Sequence, residues 1–245
     1  MKKALWGFLL FVTLPFSAHA AEISVAAGAG LKDVLSELST IFEKDHPSIK
    51  ITKNFVASGM LAKQIDSGAV FDIVFVANRE WMDYLREKNH VDAGSITPFA
   101  YNTLVFVGPE GKPVSGMNEI GRLEKIAIGS PKSVPAGEYA MEAIRKVGID
   151  KQLEKKLIMA RDVRECLVYA ERGEVEGAFV YKTDALLSKQ VKIQFVVPQE
   201  LYSPVVYLTA LTVFGTRNRE ATLFFAFLRA GEAKAVLAKQ GFEIR

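Results

Sequence analysis

Apolar and polar positions alternate from Glu22 to Ala27, with Ile23, Val25 and Ala27 on one side. After Gly28-Ala29-Gly30 the pattern changes to the spacing of an amphipathic helix, starting near Leu31. The same change recurs along the chain. IKITKNFVA leads into SGMLAKQIDSG, FDIVFVA into REWMDYLREKN, and KIAIGS into PAGEYAMEAIRKVG. NTLVFVG reads as a further strand, KLIMA precedes DVRECLVYAERG, GAFVY precedes KTDALLS, and KIQFVV precedes SPVVYLTALTVFG. Two helices, near 217–229 and 232–239, close the chain. Repeated strand–helix units predict an α/β fold with mainly parallel sheets. The units are too many for one simple sheet, and no Gly/Ser/Pro linker marks a single cut. Two lobes sharing the chain account for both features, with extended crossover strands expected near 99–107 and 205–213.

The first 20 residues have a different character. Lys2 and Lys3 precede an apolar run from Ala4 to Phe16, and Ala18-His19-Ala20 forms a small-x-small cleavage pattern. Residues 1–20 are therefore expected to be a signal peptide cut after Ala20, and the mature chain to be periplasmic. Without Lys2 and Lys3, 29 basic residues face 28 acidic ones. That balance argues against nucleic acid or an anionic membrane as partner. Cys166 is the sole cysteine, so no internal disulfide exists. It falls on the stripe Val163, Cys166, Leu167, Ala170, which reads as an inward face holding an inert thiol.

The chemistry candidates cluster where strands meet helices. Gly28-Ala29-Gly30 lacks the third glycine of a dinucleotide fingerprint, since Asp33 stands there, and no P-loop spacing occurs. What remains is a helix start with Gly30 as its cap, beside the alternative of an ordinary tight turn. Ser58 follows a strand and opens a helix, which an N-capping serine would also do. The amides of Ser58 and Gly59 can face one way there. Pro135 suits a first helical position, with Ala136 beside it. Asp162 is a good cap for a helix beginning at Val163 and Arg164, and GAFVY delivers Tyr181 to the carboxyl end of a strand. No cluster has the spacing of metal ligands, and the mature histidines, His46 and His90, lie in loop sequence. A serine hydrolase or transferase using Ser58 thus has little to draw on. Helix starts with small residues, brought together, would bind an oxyanion with neutral donors.

The segments FVASGMLAKQIDSGAVFDIVFVANREWMDYL, IAIGSPKSVPAGEYAMEAI, DVRECLVYAERGEVEGAFVYKTDA and the terminal KQGF resemble periplasmic molybdate-binding proteins. These are the solute receptors of ABC importers for molybdate and tungstate. The resemblance spans nearly the whole mature chain. It implies a two-lobed periplasmic-binding-protein fold of type II, the Venus flytrap, with lobe I at 21–101 plus 204–245 and lobe II at 102–203. It implies a monomeric receptor, not an enzyme, that needs no cofactor and serves an inner-membrane permease. The family's oxyanion ligands fall on Gly30, Ser58, Ala136, Val163 and Tyr181, with no residue bound directly to a cation. Sulfate, chromate or phosphate is the alternative cargo. Where the family usually has serine followed by Leu-Thr, this chain has Gly30-Leu31-Lys32, so a hydroxyl is lost and a cation gained. Lys32 and Gly59 are further candidate ligands. None of the expected donors titrates near neutrality, so binding is expected to be nearly flat from about pH 6 to 8.

Overall fold

The computed structural model describes residues 21–111 and 113–245, so the expected signal segment lies outside the described residues. In chain order, β1 (Ala21–Gly28) passes through a 3-10 turn (Ala29–Leu31) into α1 (Lys32–Asp45). Next come β2 (Ile49–Val56), α2 (Ser58–Asp66), β3 (Ile73–Val76), α3 (Arg79–Glu87) and β4 (Thr97–Asn102). β5 (Leu104–Gly108), β6 (Ile126–Gly129), α4 (Pro135–Val147), α5 (Asp150–Leu153), β7 (Leu157–Ala160) and α6 (Val163–Glu171) follow. β8 (Gly177–Tyr181), α7 (Lys182–Ala185), β9 (Lys192–Val196), β10 (Val205–Leu211), α8 (Arg219–Phe227) and α9 (Gly231–Lys239) complete the chain.

The strands form two five-stranded sheets, ordered β2-β1-β3-β10-β4 and β7-β6-β8-β5-β9. The two share one wiring plan. In each, three parallel strands (β2, β1, β3; β7, β6, β8) are joined through βα units. An antiparallel strand, β10 or β5, then pairs with the third, and a last strand pairs antiparallel with it. The sheets are therefore mixed, not mainly parallel. Helical crossovers keep strands parallel, whereas a strand that arrives from the other lobe needs no such crossover and enters in the opposite sense.

The chain passes between the sheets twice. Only Thr103 separates β4 from β5, and Asn102 Nδ2 donates to Thr183 Oγ1 across the join at 2.8 Å. This crossing falls within the expected 99–107 segment. The return differs from expectation. β10 pairs with β3 and β4 along its length, so it belongs wholly to the first sheet, and the crossing occupies residues 197–204 before it.

The hydrophobic pattern explains the local elements. Ile73, Val74, Phe75 and Val76 are all buried, as a strand covered on both faces requires. Helix α1 buries Val34, Leu35, Leu38 and Phe42 at helical spacing. Helix α6 buries the predicted stripe Val163, Cys166, Leu167 and Ala170. Burial pushes the Cys166 thiol well above its usual range, which leaves it inert at neutral pH.

Candidate functional site

In an open α/β sheet the carboxyl ends of parallel strands face the ligand crevice. Here the ends from both sheets meet. β1 runs into the turn holding Gly30, β2 into α2 at Ser58, β6 towards α4, β7 into α6, and β8 ends at Tyr181. Gly30, Ser58, Ala136, Val163 and Tyr181 all line one cavity of about 20 Å³, together with Ala77, Pro135 and Asp162. Gly30 and Ser58 come from the first sheet's half, the other three from the second's.

The local chemistry of these groups is that of neutral donors. Val163 and Ser58 are the first residues of their helices and Ala136 the second, so their N–H groups have no partner within the helix. The Ser58 hydroxyl accepts the Ala77 N–H at 3.0 Å, which leaves its own proton for another acceptor. The Tyr181 hydroxyl is buried and has no hydrogen-bond partner among the described residues. Burial holds its phenol well above the usual range, so it stays protonated.

Four details depart from the sequence reading. Gly30 is not a helix cap but lies within the 3-10 turn, and α1 starts two residues later. Ser58 is not an N-cap either; Ala57 holds that place, and the serine side chain turns back to β3's exit at Ala77. Lys32 is exposed and does not line the cavity. Gly59 is not a free donor, because its N–H is taken by the Ser133 carbonyl at 2.9 Å. That bond crosses between the two halves.

Other contacts also hold the halves together. Asn78 Nδ2 donates to Glu138 Oε2 at 2.7 Å, and Tyr139 donates its hydroxyl proton to the Ala77 carbonyl at 3.1 Å. Arg164 contacts Asp33 across the gap and places Nε 2.7 Å from the Asp184 carboxylate behind Tyr181. Asp184 is 0% exposed, and burial raises it to about 6 even though Arg164 pulls the other way. Glu138 is pushed up to about 8 by burial, then by the carboxylates of Glu80 and Glu142, with Asn78 opposing. Glu80, Glu138 and Glu142 line a larger groove of about 470 Å³ together with Arg79. Sequence periodicity missed this acidic seam, since Glu80 and Glu138 sit on separate helices. Asp184 was visible only as the acid three residues after Tyr181.

Both described histidines are engaged elsewhere: His46 Nδ1 with the Phe42 carbonyl, His90 Nε2 with Asp66. Among the described residues, no three His, Cys, Asp or Glu side chains gather as a metal site. No helix among them is long and apolar enough to cross a membrane.

Two mixed sheets facing each other across a cavity lined by helix starts define a solute-binding protein. The chain belongs to the family described as bacterial extracellular solute-binding protein, which it matches over residues 23–243. It is 34% identical over 246 residues to the molybdate-binding protein ModA of Haemophilus influenzae, covering 97% of this chain and 96% of that one. Its identity to the molybdate-binding protein ModA of Escherichia coli is 33% over 236 residues, covering 93% and 91%. Among solved structures, the periplasmic molybdate-binding protein of Azotobacter vinelandii shares the fold with a TM-score of 0.80 at 19% identity, covering 91% of this chain and 99% of that one.

Proposed function

We propose that this protein is an extracytoplasmic receptor, not an enzyme, that captures molybdate or tungstate and hands it to an ABC permease in the inner membrane. The observation that carries the reading is the cavity: five neutral donor positions from both halves surround one small space. Ser58 and Gly30 would hold the anion from lobe I, and Ala136, Val163 and Tyr181 from lobe II. Lobe I is taken as 21–101 plus 204–245 and lobe II as 102–203. Peptide dipoles disperse the anion's charge without a buried cation. Hydrolysis at Ser58 is disfavoured because neither described histidine reaches it. The similarity to two molybdate-binding proteins supports molybdate over sulfate or phosphate.

A thermal-shift panel of oxyanions tests this. Ligand at a hundred times Kd adds about 2.7 kcal/mol, which is roughly 5–10 °C in a chain of this size. Molybdate and tungstate should give that rise, and a larger rise with sulfate or phosphate would reassign the cargo. Saturating molybdate should also lower the radius of gyration, because a ligand bonded to both lobes favours the closed form.

Closure should depend on pH, contrary to the flat profile expected from the donors alone. In the closed form Glu138 binds a proton up to about pH 8, against 4.5 for a free carboxyl. The closed form therefore holds more protons than the open one, and its advantage, complete below pH 4.5, is lost as pH rises through about 8. The whole shift would amount to roughly 5 kcal/mol, but screening at a half-buried site leaves on the order of 1–2 kcal/mol. Molybdate affinity should fall about tenfold from pH 6.5 to 9, and Glu138→Gln should flatten the curve. An unchanged slope in that variant would rule Glu138 out.

A further inference from the structure

Tyr207 lies in the middle of β10, is 0% exposed, and packs edge-on against Tyr181 with ring centroids 5.8 Å apart. Its hydroxyl, like that of Tyr181, has no hydrogen-bond partner among the described residues. A side-chain carbon built on Gly30 would stand 3.0 Å from that hydroxyl, 3.5 Å from the Tyr181 ring and 3.6 Å from Asp184 Oδ2. Gly30 itself lines the cavity. The Tyr207 hydroxyl thus reaches into the space that any larger residue at position 30 would claim. A buried hydroxyl with no protein partner calls for one from elsewhere, whether water, ion or ligand. Two such side chains, one from each sheet, pack together beside Gly30; Tyr181 lines the cavity itself, and Tyr207 stands directly behind Gly30.

We propose that Tyr207 is a further ligand-binding residue, donating its hydroxyl to the bound oxyanion through the space left by Gly30. The proposal rests on the oxyanion-receptor reading. Burial pushes the phenol well above its usual range, so the proton is retained at any working pH. Two internal groups could compete for that proton. The Asn102 side chain lies beside the phenol and opposes that rise by donating towards its oxygen, which leaves the hydroxyl proton unused; Nδ2 also donates to Thr183 and Oδ1 accepts the Thr103 N–H. Asp184 Oδ1 lies 2.7 Å from Arg164 Nε, which leaves Oδ2 as the internal acceptor to be distinguished from the oxyanion. A tyrosine from β10 would then supply lobe I with the second side-chain hydroxyl that glycine cannot.

The test measures molybdate binding by calorimetry, with unfolding of the ligand-free protein followed in parallel. Tyr207→Phe should weaken binding about tenfold while leaving the ligand-free Tm within a degree or two. Adding Gly30→Ser to Tyr207→Phe should recover most of the loss, because a serine hydroxyl enters the vacated space. Gly30→Ser alone should not tighten binding, since its side chain meets the Tyr207 hydroxyl. Unchanged affinity in Tyr207→Phe, with Tyr181→Phe weakened, would overturn the proposal and leave the receptor reading standing. A lowered ligand-free Tm at unchanged affinity would also overturn it, by showing an internal partner such as Asp184. If Tyr207→Phe does not fold, Gly30→Ser decides: a tenfold gain in affinity would mean the space is open and Tyr207 is no donor. If the wild-type protein binds no oxyanion, both the proposal and the receptor reading fall.

Discussion

A Gly59→Ala protein is expected to fold and yet bind its oxyanion at least about a hundredfold more weakly, because its closed form becomes inaccessible. Gly59 is the second residue of α2, and its N–H donates to the Ser133 carbonyl of the other lobe. An added methyl would stand 2.8 Å from Ser133 Cα and 2.5 Å from Trp81 Cζ2. Trp81 belongs to the same lobe and is only partly buried, so its ring can turn away. Ser133 is backbone in the turn before α4 and cannot yield without carrying its lobe outward. Alanine is a better helix former than glycine by about 1 kcal/mol, so the ligand-free fold should not suffer. Calorimetry with molybdate and small-angle scattering check the expectation. A variant that binds normally and compacts on binding would show that the lobes do not approach at this point.

Val163→Pro is expected to cost ten- to a hundredfold in affinity while the ligand-free protein keeps its stability. A proline at the first helical position is well tolerated, because the missing N–H has no partner in the helix. The residue before it must be extended, and Asp162 already is, at φ −156° and ψ 174°. The substitution therefore deletes one unpartnered N–H beside the cavity, and the packing it also changes in the α6 stripe is measured separately by Val163→Ala. A hydrogen bond to a charged acceptor is worth about 1.5–3 kcal/mol, which sets the fold-change. Val163→Ala keeps the N–H and should bind almost as the wild type does. Equal losses in the two variants would trace the effect to packing in the α6 stripe and remove Val163 from the donor set.

Much of the candidate site is legible in the sequence. Ala136 and Val163 stand at helix starts that Pro135 and Asp162 announce, and Tyr181 ends an apolar run too short for a helix. The N–H groups of Ala136 and Val163 follow from where their helices start, so a local pattern suffices to mark them as candidates, whereas Tyr181 is marked only by its place at a strand's end. Ser58 follows a strand and opens α2, as its local pattern indicates, and the N-cap alternative fails; what the pattern does not carry is the orientation of its hydroxyl by Ala77, nineteen residues away. Gly59 looked like a second donor because nothing nearby in the sequence competes for its N–H. Its acceptor, Ser133, lies on the other lobe.

The particular set of five ligand positions came from the family resemblance; the sequence by itself determined the alternation of strands and helices, the inward stripes of α1 and α6, and which helix starts and strand end could carry donors. Those are properties of periodicity and of helix ends, which act over a few residues. Only the tertiary structure decided the sense of β10 and β5, because hydrophobic alternation carries no strand direction. It also decided which polar groups are buried together: Gly30 beside Tyr207, Asp184 beside Arg164, and Glu138 facing Glu80. Burial of a hydroxyl or a carboxyl is a property of everything packed around it. For these groups the surroundings come from strands and helices far apart in the chain, brought together when two lobes close on one cavity.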